Sequence, residues 1–211
     1  MPVFKSEVKM PDWCELEHFE LIHLKQDETV SIPRTGIKEE IIVCAGVVDT
    51  VSGDMHNQMA EGQKMDLDSS EAQGYTIKAL DGPALVFYAA GRWESITSSG
   101  IFWVSQGAPP AFDTPHDYEK TTTFDNHYHD CDEYWIFFQG RCRAVSEGQF
   151  YDVAPGDCLA TGMGWHHDVQ SVSGDELVKA VWFEGTLEGK KREGHLWEPS
   201  HGKAIPQIDR I

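Results

Sequence analysis

The sequence is short of positive charge. Its 211 residues carry 17 Lys and Arg against 35 Asp and Glu, a formal net charge of −18. Phosphate backbones and anionic membrane surfaces reward clustered Lys and Arg, so neither a nucleic acid nor a membrane is expected as a partner. Cysteine is sparse and scattered. Cys14, Cys44, Cys131, Cys142 and Cys158 form no Cys-x-x-Cys pair, a pattern that fits neither a disulfide framework nor a structural zinc site. No apolar run reaches membrane-spanning length, and the opening Met1-Pro-Val-Phe-Lys-Ser-Glu-Val-Lys-Met-Pro lacks an apolar signal core. A cytoplasmic protein in a reducing compartment is the expectation.

Helical periodicity is nearly absent too. One stretch, Trp13 to Leu24, has loosely recurring apolar residues and predicts a short N-terminal helical segment. Short β-rich runs dominate instead, among them Glu40-Ile-Ile-Val-Cys44, Ala84-Leu-Val-Phe-Tyr88, Ile101-Phe-Trp-Val104, Tyr134-Trp-Ile-Phe-Phe138 and Leu177-Val-Lys-Ala-Val-Trp-Phe183. Glycine and proline punctuate them at short intervals, which predicts an all-β sandwich or barrel. A segment opening Gln106-Gly-Ala-Pro-Pro-Ala reads as a linker.

An internal repeat lies at an offset of 94 residues. Glu39, Gly46 and Gly62 match Glu133, Gly140 and Gly156, and Gly91 matches Gly185. The chain then divides into an N-terminal extension (1–30), a first half (31–105), a linker (106–123), a second half (124–185) and a polar tail (186–211).

The second half carries the chemistry. In Phe124-Asp125-Asn126-His127-Tyr128-His129-Asp130-Cys131-Asp132-Glu133, two histidines stand two apart. On extended backbone such side chains share a face, so His127 and His129 can grip one ion. Glu133 follows a short polar turn, and His167 lies further on. Imidazoles with a carboxylate suit divalent transition metals and leave coordination positions open. The first half has Pro33, Thr35 and Gln73 where the second has His127, His129 and His167, so one metal site is expected, not two. Asp125 and Asp132 are candidate proton-transfer groups.

These residues resemble the cupin superfamily. His127-x-His129-x3-Glu133-x6-Gly140 fits its first motif, with Thr121 in place of the leading glycine. Gly156 through Gly162-Met-Gly164-Trp-His-His167 fits the second, with Gly162 in place of a proline and Ser171 in place of the closing asparagine. The resemblance implies a double-stranded β-helix, or jelly roll, with the ion near the barrel mouth. Two related barrels would make a bicupin with a degenerate N-terminal half. Trp135 and Phe137, on the face of Glu133, would line a substrate pocket. His166 points to the opposite face from His167, so it is not expected to be a ligand.

One cupin barrel serves many functions. The expected cofactor is a divalent transition metal (Fe, Mn, Ni, Zn or Cu), and the expected partner a small-molecule substrate, with a homodimer as a family-level expectation. The leading expectation is a metal-dependent isomerase, epimerase or lyase acting on a small polyhydroxylated or carboxylate compound. A metal-dependent dioxygenase is the alternative, and a non-catalytic metal or small-ligand binding module the third.

Overall fold

A computed structural model of the chain describes residues 3–35, 38–68, 74–106, 126–187 and 195–211, and none of these lies in a helix. Among the described residues, sixteen strands follow in chain order: β1 (Val3–Lys5), β2 (Leu16–Leu24), β3 (Thr29–Ile32), β4 (Lys38–Ala45), β5 (Val47–Ser52), β6 (Met55–Ala60), β7 (Lys64–Asp68), β8 (Tyr75–Ala79), β9 (Ala84–Gly91), β10 (Ser98–Val104), β11 (Glu133–Gln139), β12 (Cys142–Ser146), β13 (Gln149–Val153), β14 (Asp157–Thr161), β15 (His167–Val172) and β16 (Val178–Glu184). They form two compact units. A continuous unit spans Glu15–Trp93, and a histidine unit joins Met1–Cys14 to Glu94–Ile211.

The predicted helix at Trp13–Leu24 is a strand. Leu16, Phe19 and Ile22 are three apart and imitate a helical face, but the pairing of β2 with β9 shifts register between Leu16 and His18. Such a bulge breaks the period of two, and Phe19 is buried on one face while Ile22 and Leu24 are buried on the other. The units also divide at 93/94 rather than at 105, because β10 pairs along its length with β16 and completes a sheet of the histidine unit. The linker expected at 106–123 lies, but for Gln106, outside the described residues.

Each unit has two antiparallel sheets around one core. In the continuous unit these are β2-β9-β4-β7 and β3-β8-β5-β6. Ile41, Val43, Val86 and Tyr88 from the first sheet meet Val48, Ile77 and Tyr75 from the second. In the histidine unit the sheets are β1-β14-β11-β16-β10 and β13-β12-β15. There Trp135, Phe137, Leu159 and Ala180 meet Cys142, Ala144, Val153 and Val169. Strands β4 and β11 are buried on both faces, which is why they read as unbroken apolar runs instead of alternating ones.

The repeat at offset 94 is visible strand by strand. β4-β5-β6-β7-β8-β9 correspond to β11-β12-β13-β14-β15-β16, and the central orders β9-β4-β7 and β16-β11-β14 agree. Even the irregularities coincide. β4 slips against β9 between Val43 and Ala45, and β11 slips against β16 between Phe137 and Gln139.

Candidate metal centre

His127 and His129 lie on the extended segment leading into β11, while Glu133 opens β11 and His167 opens β15. The backbone of His127 bonds that of His167 in both directions, N to O at 3.3 and 2.9 Å. This bridge ties the approach to β11 to the start of β15 and sets the two imidazoles side by side, with ring centroids 4.4 Å apart and planes tilted by 59°. His129 is 4.9 Å from His127 and 5.2 Å from His167 by the same measure. One ligand atom from each of the four residues lies within 4.8 Å of the others, and all four side chains are buried. Glu133 Oε2 stands 3.2 Å from His129 Nε2 and 2.5 Å from His167 Nε2.

The Nδ1 atoms of His167 and His129 face groups outside the cluster. His167 Nδ1 donates to the carbonyl of Trp165 at 3.1 Å, and His129 Nδ1 is 3.4 Å from Glu184 Oε1. The Trp165 carbonyl holds the His167 proton on Nδ1 and turns that ring's Nε2 lone pair inward, as a metal-binding imidazole requires, while Glu184 places a carboxylate beside His129. Glu184 ends β16 in direct register with Glu133, so two buried carboxylates face three imidazoles. Neutral imidazoles cannot balance two such charges. A divalent cation can, and the donor set of three nitrogens and one oxygen suits a transition ion.

Electrostatics agree with that direction. Burial, and then the charges of His167, His129 and His195, hold His127 well below the usual imidazole range. Burial pushes the Glu133 carboxyl up, but the imidazoles of His129 and His167 more than offset it and hold it well below the usual carboxylate range. His127 is thus held in its neutral, metal-binding form, and Glu133 is held ionised by positive charge on His129 and His167, a role that a bound cation would take over.

Of the other residues singled out in the sequence, Trp135 and Phe137 lie in the core of the histidine unit. The Trp135 ring is 5.1 Å from His167 and meets Phe102 edge-on at the same separation. His166 turns away, toward Tyr128 at 5.3 Å. Asp132 is buried and committed elsewhere. It accepts from the Met163 N–H at 2.7 Å and pairs with Arg210 at 2.9 and 3.0 Å. Asp125 lies outside the described residues.

Sequence reasoning missed Glu184, His195 and Arg210. Glu184 had one signal, an acid closing the apolar run Leu177–Phe183. His195 stacks on His127 at 4.1 Å and 17°, and no spacing links the two in sequence.

No protein-family model matches the chain. The uncharacterized protein y4oW of Sinorhizobium fredii (strain NBRC 101917 / NGR234) is 39% identical over 213 residues, covering 100% of this chain and 97% of that protein. The chain belongs to the family of y4oW. Among solved structures, it is similar to the oxalate decarboxylase of Lactobacillus farciminis (TM-score 0.54, 9% identity, 88% and 86% of the two chains). It is also similar to an IolB-like protein of Salmonella typhimurium LT2 (0.53, 16%, 89% and 89%) and to AerE of Microcystis aeruginosa (0.53, 12%, 81% and 91%). At such identities the likeness is one of fold. The family member described here is an all-β, cupin-fold protein with a buried cluster that fits a metal ion.

Proposed function

We propose that this chain is a metal-dependent cupin enzyme of the isomerase, epimerase or lyase type, acting on a small polyhydroxylated or carboxylate compound. One observation carries it: three imidazoles and a glutamate, all buried, converge within 4.8 Å. A divalent ion held by His127, His129, Glu133 and His167 would polarise substrate oxygens as a Lewis acid. Glu184 would hold the ring of His129 in place, and the carbonyl of Trp165 that of His167. Trp135 would supply an apolar wall beside His167 that limits water around the reacting group. The Mn(II) centres of the Bacillus subtilis oxalate decarboxylase, another fold neighbour, make manganese the first ion to try.

The matched strand orders, bulges and glycines support a further part of this reading, that the units are two barrels of one origin, a bicupin whose N-terminal half lost its ligands. A second reading, a dioxygenase, is favoured by the aromatic lining of Trp135 and Phe102. Metal analysis of the purified protein should give one ion per chain. His127→Ala with His129→Ala should remove it, and full occupancy in that double variant overturns the site. With candidate substrates, deuterium uptake from heavy water into product supports the isomerase class, whereas stoichiometric oxygen consumption replaces it with the dioxygenase.

A further inference from the structure

Residues 195–211 run beside the metal cluster and hold to it at several points. The backbones of Leu196 and Tyr128 bond each other in both directions at 3.0 Å, between ligands His127 and His129. Gln207 N–H donates to the Met163 carbonyl at 3.0 Å, and the Trp165 indole N–H donates to the Gln207 carbonyl at 2.9 Å. Arg210 spans both oxygens of Asp132, the residue before ligand Glu133. His195 lays its ring on His127.

Two glycines show that this path is built into the fold. A Cβ on Gly162 would stand 2.5 Å from Arg210 Cβ and 2.6 Å from its carbonyl oxygen. A Cβ on Gly164 would stand 2.3 Å from the Ile205 carbonyl oxygen. Gly162 does not have a positive φ, so close approach of the passing segment, not backbone conformation, is what requires glycine there. It also accounts for a glycine at a position where the cupin pattern carries proline, since a pyrrolidine ring would not fit.

We propose that residues 195–211 are a strap belonging to the metal site, latched by Arg210 on Asp132 and roofing ligand His127 with His195, and that this strap governs access to the ion. The inference deepens the metal reading and rests on it. Asp132 and Arg210 are then positioning residues, and His195 sets what can approach the ligand face it covers.

The test is the rate at which diethyl pyrocarbonate modifies each histidine of the chelator-treated full chain, read by mass spectrometry, beside the rate at which a chelator strips manganese from the loaded protein. In the wild type, His127, His129 and His167 should react at least about tenfold more slowly than His56, whose side chain is 66% exposed. Arg210→Gln and Gly162→Ala should each release the strap and raise both rates by about tenfold or more. Arg210→Lys keeps the charge and should restore part of the protection, which a mere loss of folding would not allow. Equal rates in the wild type and both releasing variants overturn the proposal. A wild type that takes up none of manganese, iron, nickel, zinc or copper sinks the metal reading, while the modification rates still decide the strap. Should the variants not fold, amide exchange at Leu196 and Gln207 in the wild type decides it: slow exchange supports a docked strap, and free-peptide exchange overturns it.

Discussion

Gly46 and Gly140 hold the same place in the two units, with φ of 82° and 70°. A Cβ on either would meet a carbonyl oxygen 2.6 Å away, that of Pro83 in the continuous unit and that of Leu177 in the histidine unit. Gly62 N–H donates to the Val43 carbonyl at 2.9 Å, and Gly156 N–H to the Phe137 carbonyl at 2.8 Å, again at the same offset. Where backbone geometry leaves no choice, the units agree. They part at the glutamate. Glu133 meets imidazoles, whereas Glu39 meets Arg34, whose Nε is 2.7 Å from Glu39 Oε2. Tyr88 donates to Glu39 Oε1 at 3.0 Å, and the Thr35 N–H, at the position of His129, donates to it at 2.7 Å. A buried carboxylate needs a cation in either unit. The continuous unit supplies one from its own chain, and the histidine unit has instead a cluster that fits an ion.

Replacing the same glutamate in both units should break the comparison most sharply. Glu39→Gln leaves the Arg34 guanidinium, only 12% exposed, without its carboxylate. Breaking a buried pair from one side costs about 3–5 kcal/mol, to be read as faster amide exchange confined to the continuous unit. Metal content should not change. Glu133→Gln should do the reverse, weakening metal binding by more than the about 10–100-fold typical of a supporting residue. Metal loss in Glu39→Gln, or none in Glu133→Gln, would remove the contrast.

The glycines test the shared half. Gly46→Ala and Gly140→Ala each impose a left-handed conformation on alanine and a clash with fixed backbone, together about 2–5 kcal/mol. Thermal unfolding should fall by similar amounts in both. A large loss in one unit alone would show that the turns do different jobs.

What could be read in advance follows the same division. His127, His129, Glu133 and His167 were legible because a metal demands particular donors at particular spacing, and the turn glycines because only glycine tolerates those backbone angles. Glu184 was not, because its meeting with His129 depends on β16 lying in register beside β11, a pairing of distant segments. His195 and Arg210 reach the site through a segment whose own sequence has no periodicity. The strand at Leu16–Leu24 was misread because a bulge and burial on both faces erased the alternation that marks a strand. Local rules were legible, and of the meetings between remote segments only that of His167 with His127 was, because the two-motif pattern carries it.

Acid should separate the units by a smaller margin. Burial and neighbouring imidazoles hold His127 below its ordinary value in the folded protein, so the fold keeps it neutral where the unfolded chain would take a proton. The sign follows from linkage: this contribution is intact above about pH 6.5 and is lost as pH falls below it, at up to about 1.4 kcal/mol per pH unit. Glu133, with its folded value lowered, acts in the same direction further into acid, through the ordinary carboxylate range. The matching cluster of the continuous unit has tyrosines instead. Burial raises Tyr88 to about 12, opposed chiefly by its hydrogen bond with Thr35 and aided by the charge and hydrogen bond of Glu39, and burial raises Tyr75 further. Neither phenol has a proton to gain near pH 6. Between pH 7 and pH 5, amide exchange in the metal-free protein should therefore quicken in β11 and β15 before it does in β4 and β8. Equal acceleration in both pairs would mean that the histidine cluster is not what makes this fold sensitive to acid.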